Sequence, residues 1–348
     1  MCNIAGYSGN KQAAPILLEM IRKQQYYDGD VCTGVATIYE GKIHYRKIVG
    51  DVDTLIRETD VLELPGTIGI AHTRPGGNKQ DGAFHPFIPA DESLALVTNG
   101  TAPATKYCVD WDAAADLVDQ NGYVFRNEFP NPKGKSPKFS RNGNFLRPSE
   151  VRVHLIHYYI TQGFTPVQAM LKADADMYTD AVMVMIHREH PESIFCTRTT
   201  RPMNLILENG EAYMATTRYG FPEHLQNEPL MLPLHQGCII SRDGLQITPD
   251  RLEKEPVSEM TPYTYAEGYR RIEALLKSEK APLYFDELEF AIGDMRDLWP
   301  GDHTLVQHAR LVYELLWQFD QEGRLQREVR LQEFPDYSRH RWYFSLKN

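Results

Sequence analysis

Cys2 is the residue whose position most strongly suggests chemistry, because it directly follows the initiator methionine. Its side chain is small enough for removal of Met1, which would leave a thiol and a free α-amino group on one residue. An α-amine has a pKa of about 8, so much of it is neutral base at physiological pH. It can take the thiol proton directly or through a water, as the amine does in proteins with an N-terminal Thr nucleophile. An isolated Cys2 also occurs by chance in many chains, so this position needs support from other residues.

A second motif, His72-Thr73-Arg74, stands at the end of a predicted buried strand and opens a glycine-rich loop. An Arg at such a strand end can bind a substrate carboxylate through two parallel hydrogen bonds. The same residue could instead form a surface salt bridge. We predict substrate contacts at this motif and at Gly76, the second residue after Arg74.

A third motif, Asn99-Gly100, follows the apolar strand predicted from Leu94 to Thr98. A side-chain amide and a neighbouring backbone N–H that point the same way form an oxyanion hole. Glycine also lets the backbone approach a tetrahedral intermediate closely. Because Asn-Gly is equally common in tight turns, the dipeptide predicts catalysis only in combination with the other two motifs.

In combination, these motifs resemble the glutaminase domain of the class II glutamine amidotransferases, which are N-terminal-nucleophile hydrolases. The resemblance spans roughly residues 2 to 250. The matching segments include Met1 to Tyr7, Val31 to Ala36, Ile70 to Arg74, His85-Pro86, Val97 to Gly100 and Ser149 to Ile156. The resemblance implies that Cys2 is the nucleophile and its α-amine the base. It also implies that Arg74 holds the substrate α-carboxylate, and that Asn99 and Gly100 form the oxyanion hole. The implied reaction is thiolate attack on a side-chain amide, release of ammonia and hydrolysis of a thioester, without a cofactor or metal.

The sequence departs from the family pattern at three places. The loop after Arg74 is Pro75-Gly76-Gly77-Asn78, where the family has a tryptophan, a small residue, a threonine and a histidine. Thr98 replaces a histidine before Asn99. The family's aspartate that binds the α-amino group of glutamine corresponds to Pro148, which has no carboxylate. These departures keep two alternatives open: a binding or regulatory protein that retains the fold without the activity, or an amidohydrolase that acts on a different amide.

The order of predicted elements indicates an α+β protein. Strands and hairpins are interrupted by two helices near residues 149–162 and 167–173, whereas a doubly wound parallel sheet would need regular alternation. We predict Ser149 as the N-cap of the first of these helices. Residues 125–144, rich in Pro, Gly and Lys, predict a long loop. The resemblance implies a four-layer αββα sandwich of antiparallel sheets.

The composition changes near residues 256–262, which predicts an amidotransferase domain over 2–258 and a C-terminal domain over 263–348. The second segment contains three predicted helices followed by two alternating stretches, a pattern compatible with a winged helix. It carries 12 Lys or Arg against 15 Asp or Glu. This balance favours docking to protein, or structural cover, over nucleic-acid binding.

Bulk composition excludes several other classes of protein. The chain has 348 residues and a formal net charge of -10 without long charge runs, which argues against a nucleic-acid binder. Five separated cysteines without a CxxC pair argue against a disulfide framework and a structural zinc site. Neither a signal peptide nor a membrane span is predicted, so a cytoplasmic location is expected. The expected partners are a small glutamine-like amide and an ammonia-accepting synthase on another chain. A homo-oligomer is compatible with the sequence.

Overall fold

Two antiparallel sheets lie face to face at the centre of the computed structural model, which describes residues 2–75, 84–100, 111–130, 140–141, 144–253, 257–279, 281–301, 305–335 and 337–347. The first strands are β1 (Asn3–Ser8), β2 (Cys32–Tyr39), β3 (Lys42–Val49), β4 (Ile68–Arg74), β5 (Leu94–Gly100), β6 (Glu128–Pro130), β7 (Ser140–Arg141), β8 (Asn144–Leu146) and β9 (Ala181–His187). They are followed by β10 (Ile194–Arg198), β11 (Asn204–Glu208), β12 (Glu211–Ala215), β13 (Leu230–Met231), β14 (Gln236–Ser241), β15 (Gly244–Arg251), β16 (Leu283–Tyr284), β17 (Leu325–Glu333) and β18 (Ser338–Leu346). The seven-stranded sheet has the order β13-β11-β12-β1-β4-β2-β3, and the five-stranded sheet has the order β15-β14-β10-β9-β5.

Helices cover the outer face of each sheet. They are α1 (Ala13–Asp28), α2 (Val52–Glu58), α3 (Trp111–Gln120), α4 (Pro148–Thr161) and α5 (Pro166–Asp176). Three further helices, α6 (Pro262–Ser278), α7 (Phe285–Asp294) and α8 (His308–Gln321), belong to a separate apolar core. One apolar cluster packs α1 and α2 on the seven-stranded sheet, a second fills the space between the sheets, and a third packs α3, α4 and α5 on the five-stranded sheet. The mixed helix and antiparallel-sheet fold that we predicted is therefore confirmed.

Side-chain alternation along the strands determines which residues face the inter-sheet space. Ile4, Ile70 and Val97 belong to the apolar cluster between the sheets. Because successive side chains of a strand point to opposite faces, even-numbered positions of β1 and β4 and odd-numbered positions of β5 face this space. The three motifs singled out in the sequence stand at the ends of these strands.

Two sequence predictions in the middle of the chain need correction. The N-cap of α4 is Arg147, and Pro148 occupies the first turn with its fixed backbone φ, so Ser149 is already inside the helix. Of the predicted loop at 125–144, residues 131–139 and 142–143 lie outside the described residues, and the strands β6, β7 and β8 that are described form a small sheet of order β6-β8-β7. Short extended pieces between Pro and Gly residues leave no periodic pattern, which explains why the sequence did not reveal them.

The last three helices and the strands β16, β17 and β18 form a C-terminal unit, residues 261–347, with its own apolar core. Helix α1 contributes Tyr27 to this core. The ring of Tyr27 stacks on Tyr219 and Phe344 with centroid distances of 5.3 and 5.8 Å, and meets Tyr313 edge-on at 5.5 Å. The C-terminal unit is thus packed against the four-layer sandwich through shared aromatic contacts. In the described part of the chain, no helix is both long and apolar enough to cross a membrane.

We expect Tyr27→Ala to destabilise the protein by about 3–5 kcal/mol, because a fully buried aromatic side chain is removed from a packed core. Guanidinium unfolding followed by circular dichroism measures the loss. Tyr39→Ala, at a ring that is 46% exposed, should change stability by less than about 0.5 kcal/mol. Equal losses for both variants would show that the shared aromatic contacts do not hold the two parts together.

Candidate active site

Cys2 and Asn99 are joined by two hydrogen bonds between the two central sheets. The Cys2 backbone N–H donates to Asn99 Oδ1 at 3.3 Å, and Asn99 Nδ2 donates to the Cys2 carbonyl oxygen at 2.8 Å. Asn99 is buried. Cys2 is partly exposed as a residue, but its thiol is desolvated. The structure therefore brings the predicted nucleophile and the predicted oxyanion amide into direct contact, although 97 positions separate them in the sequence.

Arg74 stands on the same side of the seven-stranded sheet as Cys2. It ends β4, the neighbour of β1, and Asn3 pairs with Thr73 in the register between these strands. Burial raises the pKa of the Cys2 thiol, and the positive charges of Arg74 and Arg201 act against that rise. A thiolate at Cys2 is thus favoured by two guanidinium groups and opposed by desolvation.

The other residues predicted to contact the substrate, His72, Thr73 and Gly76, do not all lie on the side of the sheet that carries Cys2. Thr73 points to the helix-covered face of the sheet, where its Oγ1 accepts from the Asp30 backbone N–H at 3.0 Å. The structure therefore does not bring the Thr73 side chain to the inter-sheet space with Cys2. His72 is buried at the inter-sheet face. Gly76 lies outside the described residues.

His72 and His85 lie against each other next to the end of β5. Their ring centroids are 4.0 Å apart, and His72 Nε2 lies 3.1 Å from the Thr98 carbonyl oxygen. His85 Nε2 lies 3.1 Å from Thr98 Oγ1, which is 2.9 Å from Ser149 Oγ at the start of α4. Burial lowers the pKa of His72 to about 3. Burial, together with positive charge nearby such as that of Arg74, holds the pKa of His85 well below its usual range. These imidazoles therefore hold β5 in place by hydrogen bonds and carry no charge at neutral pH.

Gly100 is required by close contact between strands. It pairs with Ala181 at the start of β9. A β-carbon built at Gly100 would lie 2.6 Å from the Asp180 carbonyl oxygen, so any larger residue would push β5 and β9 apart. The glycine thus keeps the backbone N–H of the predicted oxyanion hole next to Asn99.

Pro148 lies in the first turn of α4, and its side chain has no carboxylate to offer to the site. Glu150, two positions later, is buried and accepts the backbone N–H groups of Arg126 and Asn127 at 2.8 and 3.0 Å. Both carboxylate oxygens are therefore occupied by the chain that leads into β6. Glu150 fixes this segment against α4.

A buried ion-pair network lies beyond Gly100. Arg201 donates to Asp180 Oδ2 and to Glu289 Oε1, each at 2.5 Å, and His308 Nε2 lies 2.9 Å from the same Glu289 oxygen. Although burial disfavours a charged carboxyl group, Arg201 and His308 hold the pKa of Glu289 below its usual range. Glu289 and His308 belong to the C-terminal unit, so that unit is connected by charge to the strand end that contains Gly100.

Sequence reasoning missed this network. Glu289 carries a recognisable signal, because it falls on the apolar stripe of α7 with Phe285, Leu288 and Ile292. A glutamate on the buried face of a helix requires a cationic partner, but the sequence does not show which of the arginines provides it. Among the described residues, no group of three or more His, Cys, Asp or Glu side chains is arranged to hold a metal ion.

The chain is similar to curated enzymes over most of its length. It is 29% identical over 251 residues to glutamine–fructose-6-phosphate aminotransferase of Pyrococcus horikoshii, a match that covers 71% of this chain and 37% of the relative. It is 28% identical over 248 residues to the same enzyme of Caldanaerobacter subterraneus, covering 71% and 36%. The chain thus spans little more than a third of the length of these relatives. No profile of a known protein family matches it.

A solved structure shares the fold. The glutamine phosphoribosylpyrophosphate amidotransferase of B. subtilis, complexed with ADP and GMP, superposes with a TM-score of 0.59 at 15% identity. The superposition covers 81% of this chain and 60% of that one. The resemblance found in the sequence is therefore confirmed, both by related sequences and by the fold.

We expect Glu289→Ala to cost about 3–5 kcal/mol of stability, because it leaves the buried Arg201 with one carboxylate partner fewer. Urea unfolding at pH 7 measures this loss, and Glu279→Ala, at an exposed residue of the same unit, is the control. Since the folded-state pKa of Glu289 is depressed, the ion pair stabilises above the usual carboxyl pKa and less as the pH falls. The gap between wild type and variant should therefore narrow on acidification. A gap that is absent at pH 7 would contradict a stabilising ion pair.

Proposed function

We propose, from the similarity to glutamine–fructose-6-phosphate aminotransferases, that the chain is a cysteine amidohydrolase that hydrolyses the side-chain amide of glutamine, or of a related amide, and releases ammonia. The observation that carries this proposal is the reciprocal contact of Cys2 with Asn99 at the ends of two facing sheets. An N-terminal nucleophile needs its amine, its thiol and an oxyanion donor at one point, and these two residues supply them together.

In this proposal, Met1 is removed and the α-amine of Cys2 takes the thiol proton. The thiolate sulfur bonds to the amide carbon, and the carbonyl electron pair moves to oxygen. Collapse of this tetrahedral intermediate breaks the carbon–nitrogen bond, and the nitrogen leaves as ammonia with the proton held by the amine. Water then attacks the thioester, restores the thiol and releases the carboxylate product. Arg74 and Arg201 favour the thiolate by their charge.

Asn99 and Gly100 would stabilise the oxyanion. One N–H of the Asn99 amide already donates to the Cys2 carbonyl oxygen, and a primary amide has a second N–H to offer. The Gly100 backbone N–H is the neighbouring donor, and the absence of a β-carbon at this position leaves room for the Asp180 carbonyl oxygen. Removal of one such donor from an oxyanion hole typically reduces kcat by about 100- to 1,000-fold.

We propose that Arg74 binds the α-carboxylate of glutamine, together with the predicted contacts at His72, Thr73 and Gly76. Arg74 supports this role by its place beside Cys2 on the adjacent strand. The buried positions of His72 and Thr73 favour indirect roles for their side chains, as supports of β4.

The ammonia acceptor in this proposal is a synthase domain or subunit. The curated relatives are aminotransferases whose remaining length this chain does not match. We therefore place the acceptor outside the matched region, and a separate acceptor chain fits the partner expected from the sequence.

We further propose that residues 2–258 form the amidotransferase domain and 263–348 a winged-helix domain. The order α6-β16-α7-α8-β17-β18, with the sheet order β16-β18-β17, supports this assignment. In such domains the third helix commonly binds DNA. Here α8 packs on the sandwich, with Tyr219 Oη 3.3 Å from the Leu316 carbonyl oxygen and Tyr219 edge-on to Trp317 at 4.8 Å. This packing favours structural cover over nucleic-acid binding.

We expect Cys2→Ala to abolish ammonia release from glutamine, because no other group on the chain provides a thiol with an adjacent α-amine. A coupled ammonia assay measures activity, and intact-mass spectrometry checks that Met1 is removed. Cys238→Ala, at a buried cysteine in β14, is the control and should keep most activity. Ammonia release by Cys2→Ala, or retention of Met1 in an active preparation, would refute the proposed nucleophile.

Arg74→Lys should raise KM for glutamine by about 10- to 100-fold with a smaller change in kcat, since a bidentate carboxylate contact becomes a single ammonium contact. Steady-state kinetics separate the two constants. Arg188→Lys, on the exposed turn after β9, should leave both unchanged. An unchanged KM in Arg74→Lys would remove Arg74 from the substrate contacts.

A further inference from the structure

Arg147 directly precedes helix α4, which begins beside the strand end that carries Asn99. In the first turn of α4, Ser149 Oγ lies 2.9 Å from Thr98 Oγ1, and Thr98 is the residue before Asn99. The Arg147 guanidinium lies over the Phe129 ring, 4.7 Å from its centroid. Arg147 is therefore held where α4 meets the end of β5, close to the proposed oxyanion donor.

The guanidinium of Arg147 is a half-buried cation that forms no ion pair with the described residues. Its Nε is buried and has no hydrogen-bond partner there. The charge of Glu150 acts on it, but each oxygen of this carboxylate accepts a backbone N–H, from Arg126 and Asn127. Proteins usually pair their buried charges, and a guanidinium offers five N–H donors. Arg147 is therefore suited to bind an anion that comes from outside the chain.

A second cation, Arg74, acts on Arg147. Burial lowers the pKa of Arg147 to about 10, and the positive charge of Arg74 acts in the same direction. Burial also depresses the pKa of His85, and the charges of Lys47 and Arg147 add to that effect. Positive charges that are close together in a partly desolvated site oppose each other. An anionic ligand bound by both arginines would offset this repulsion.

We propose that Arg147 and Arg74 together bind the carboxylate end of the substrate, and that this substrate is a monoamide of a dicarboxylic acid without a free α-ammonium group. The inference rests on the proposed hydrolysis at Cys2 and names its substrate class. Water adds across the carbon–nitrogen bond of the amide as described above, and the products are the dicarboxylate and ammonia.

The charges at this end of the site explain why an ammonium group is excluded. In glutamine the ammonium stands on the carbon next to the carboxylate, so it would face both guanidinium groups. Glu150, the described carboxylate that acts on Arg147, is already occupied by backbone N–H groups. A substrate end that carries a carboxylate alone meets only favourable, charge-assisted contacts with the two arginines.

A comparison of two amides tests the substrate class. Glutarate monoamide has the carbon chain of glutamine without the amino group. We expect its kcat/KM for ammonia release to exceed that of glutamine by about 10-fold or more, because one charge repulsion is removed. Steady-state kinetics on the full-length protein measure both values.

Variants of Arg147 show whether this residue sets the preference. Arg147→Ala should lower the ratio of the two kcat/KM values by about 10- to 100-fold, the usual effect of one charge-assisted contact. Arg147→Lys, which keeps the charge, should retain part of the preference. Arg57→Ala, at an exposed arginine of α2, should leave it unchanged. A purely structural role would lower the rates for both amides equally.

Binding to the full-length Cys2→Ala protein separates this inference from the proposed hydrolysis. Calorimetry should show tighter binding of glutarate monoamide than of glutamine, and Arg147→Ala in the same background should remove the difference. This binding preference without ammonia release by wild type would refute the hydrolysis and still support the ammonium-free ligand. A preference for glutamine in rate or in binding, or a preference that survives Arg147→Ala, would overturn the inference.

Discussion

The contact between Cys2 and the Asn99 side chain is the point on which the rest of the structure converges. Cys2 lies at the start of a strand of one sheet, and Asn99 lies near the end of a strand of the other. Two hydrogen bonds connect them where the inter-sheet cluster of apolar side chains ends. The distance between the sheets, the register of β1 with β4 and the glycine at position 100 all contribute to keeping these two residues in contact. The two sheets thus hold Cys2 against Asn99.

Neutral and positively charged side chains both lie near this contact. The imidazoles of His72 and His85, next to the end of β5, are buried and neutral. Guanidinium groups lie on the side of the thiol, and the buried Arg201 is balanced by Asp180 and Glu289. Desolvation raises the pKa of the Cys2 thiol, and the charges of Arg74 and Arg201 act against that rise.

The sequence predicted the strands and helices that frame the site because their apolar periodicity is strong. The β2–β3 hairpin, β4 and β5 lie where apolar residues alternate in the sequence, and α4 lies where apolar residues recur every three to four positions. The resemblance supplied Cys2, Arg74, Asn99 and Gly100 together. The N-cap of α4 was misjudged because Pro148 is itself favourable in the first turn. The small strands near 128–146 and the short β13 and β16 have too few residues for a periodic signal.

What the sequence could not provide is the pairing between distant residues. Glu289 looks anomalous on an apolar helix face, but nothing in the linear pattern connects it with Arg201, 88 positions away. Likewise, Thr73 is next to Arg74 in the sequence, but the alternation of side chains along β4 places the Thr73 side chain on the opposite face of the sheet. Long-range partners depend on how the C-terminal unit packs on the sandwich, and that packing is a property of the folded surface.

Tyr27 has a consequence for how such a protein can be rearranged in evolution or by design. Helix α1 serves the sandwich along most of its length and ends with a ring inside the core of the C-terminal unit. An exchange of the C-terminal unit for another module would leave this ring without its aromatic neighbours. Any replacement unit would therefore have to supply aromatic side chains that pack around the Tyr27 ring. The boundary between the two parts is thus a poor site for modular recombination, even though the chain crosses it only once.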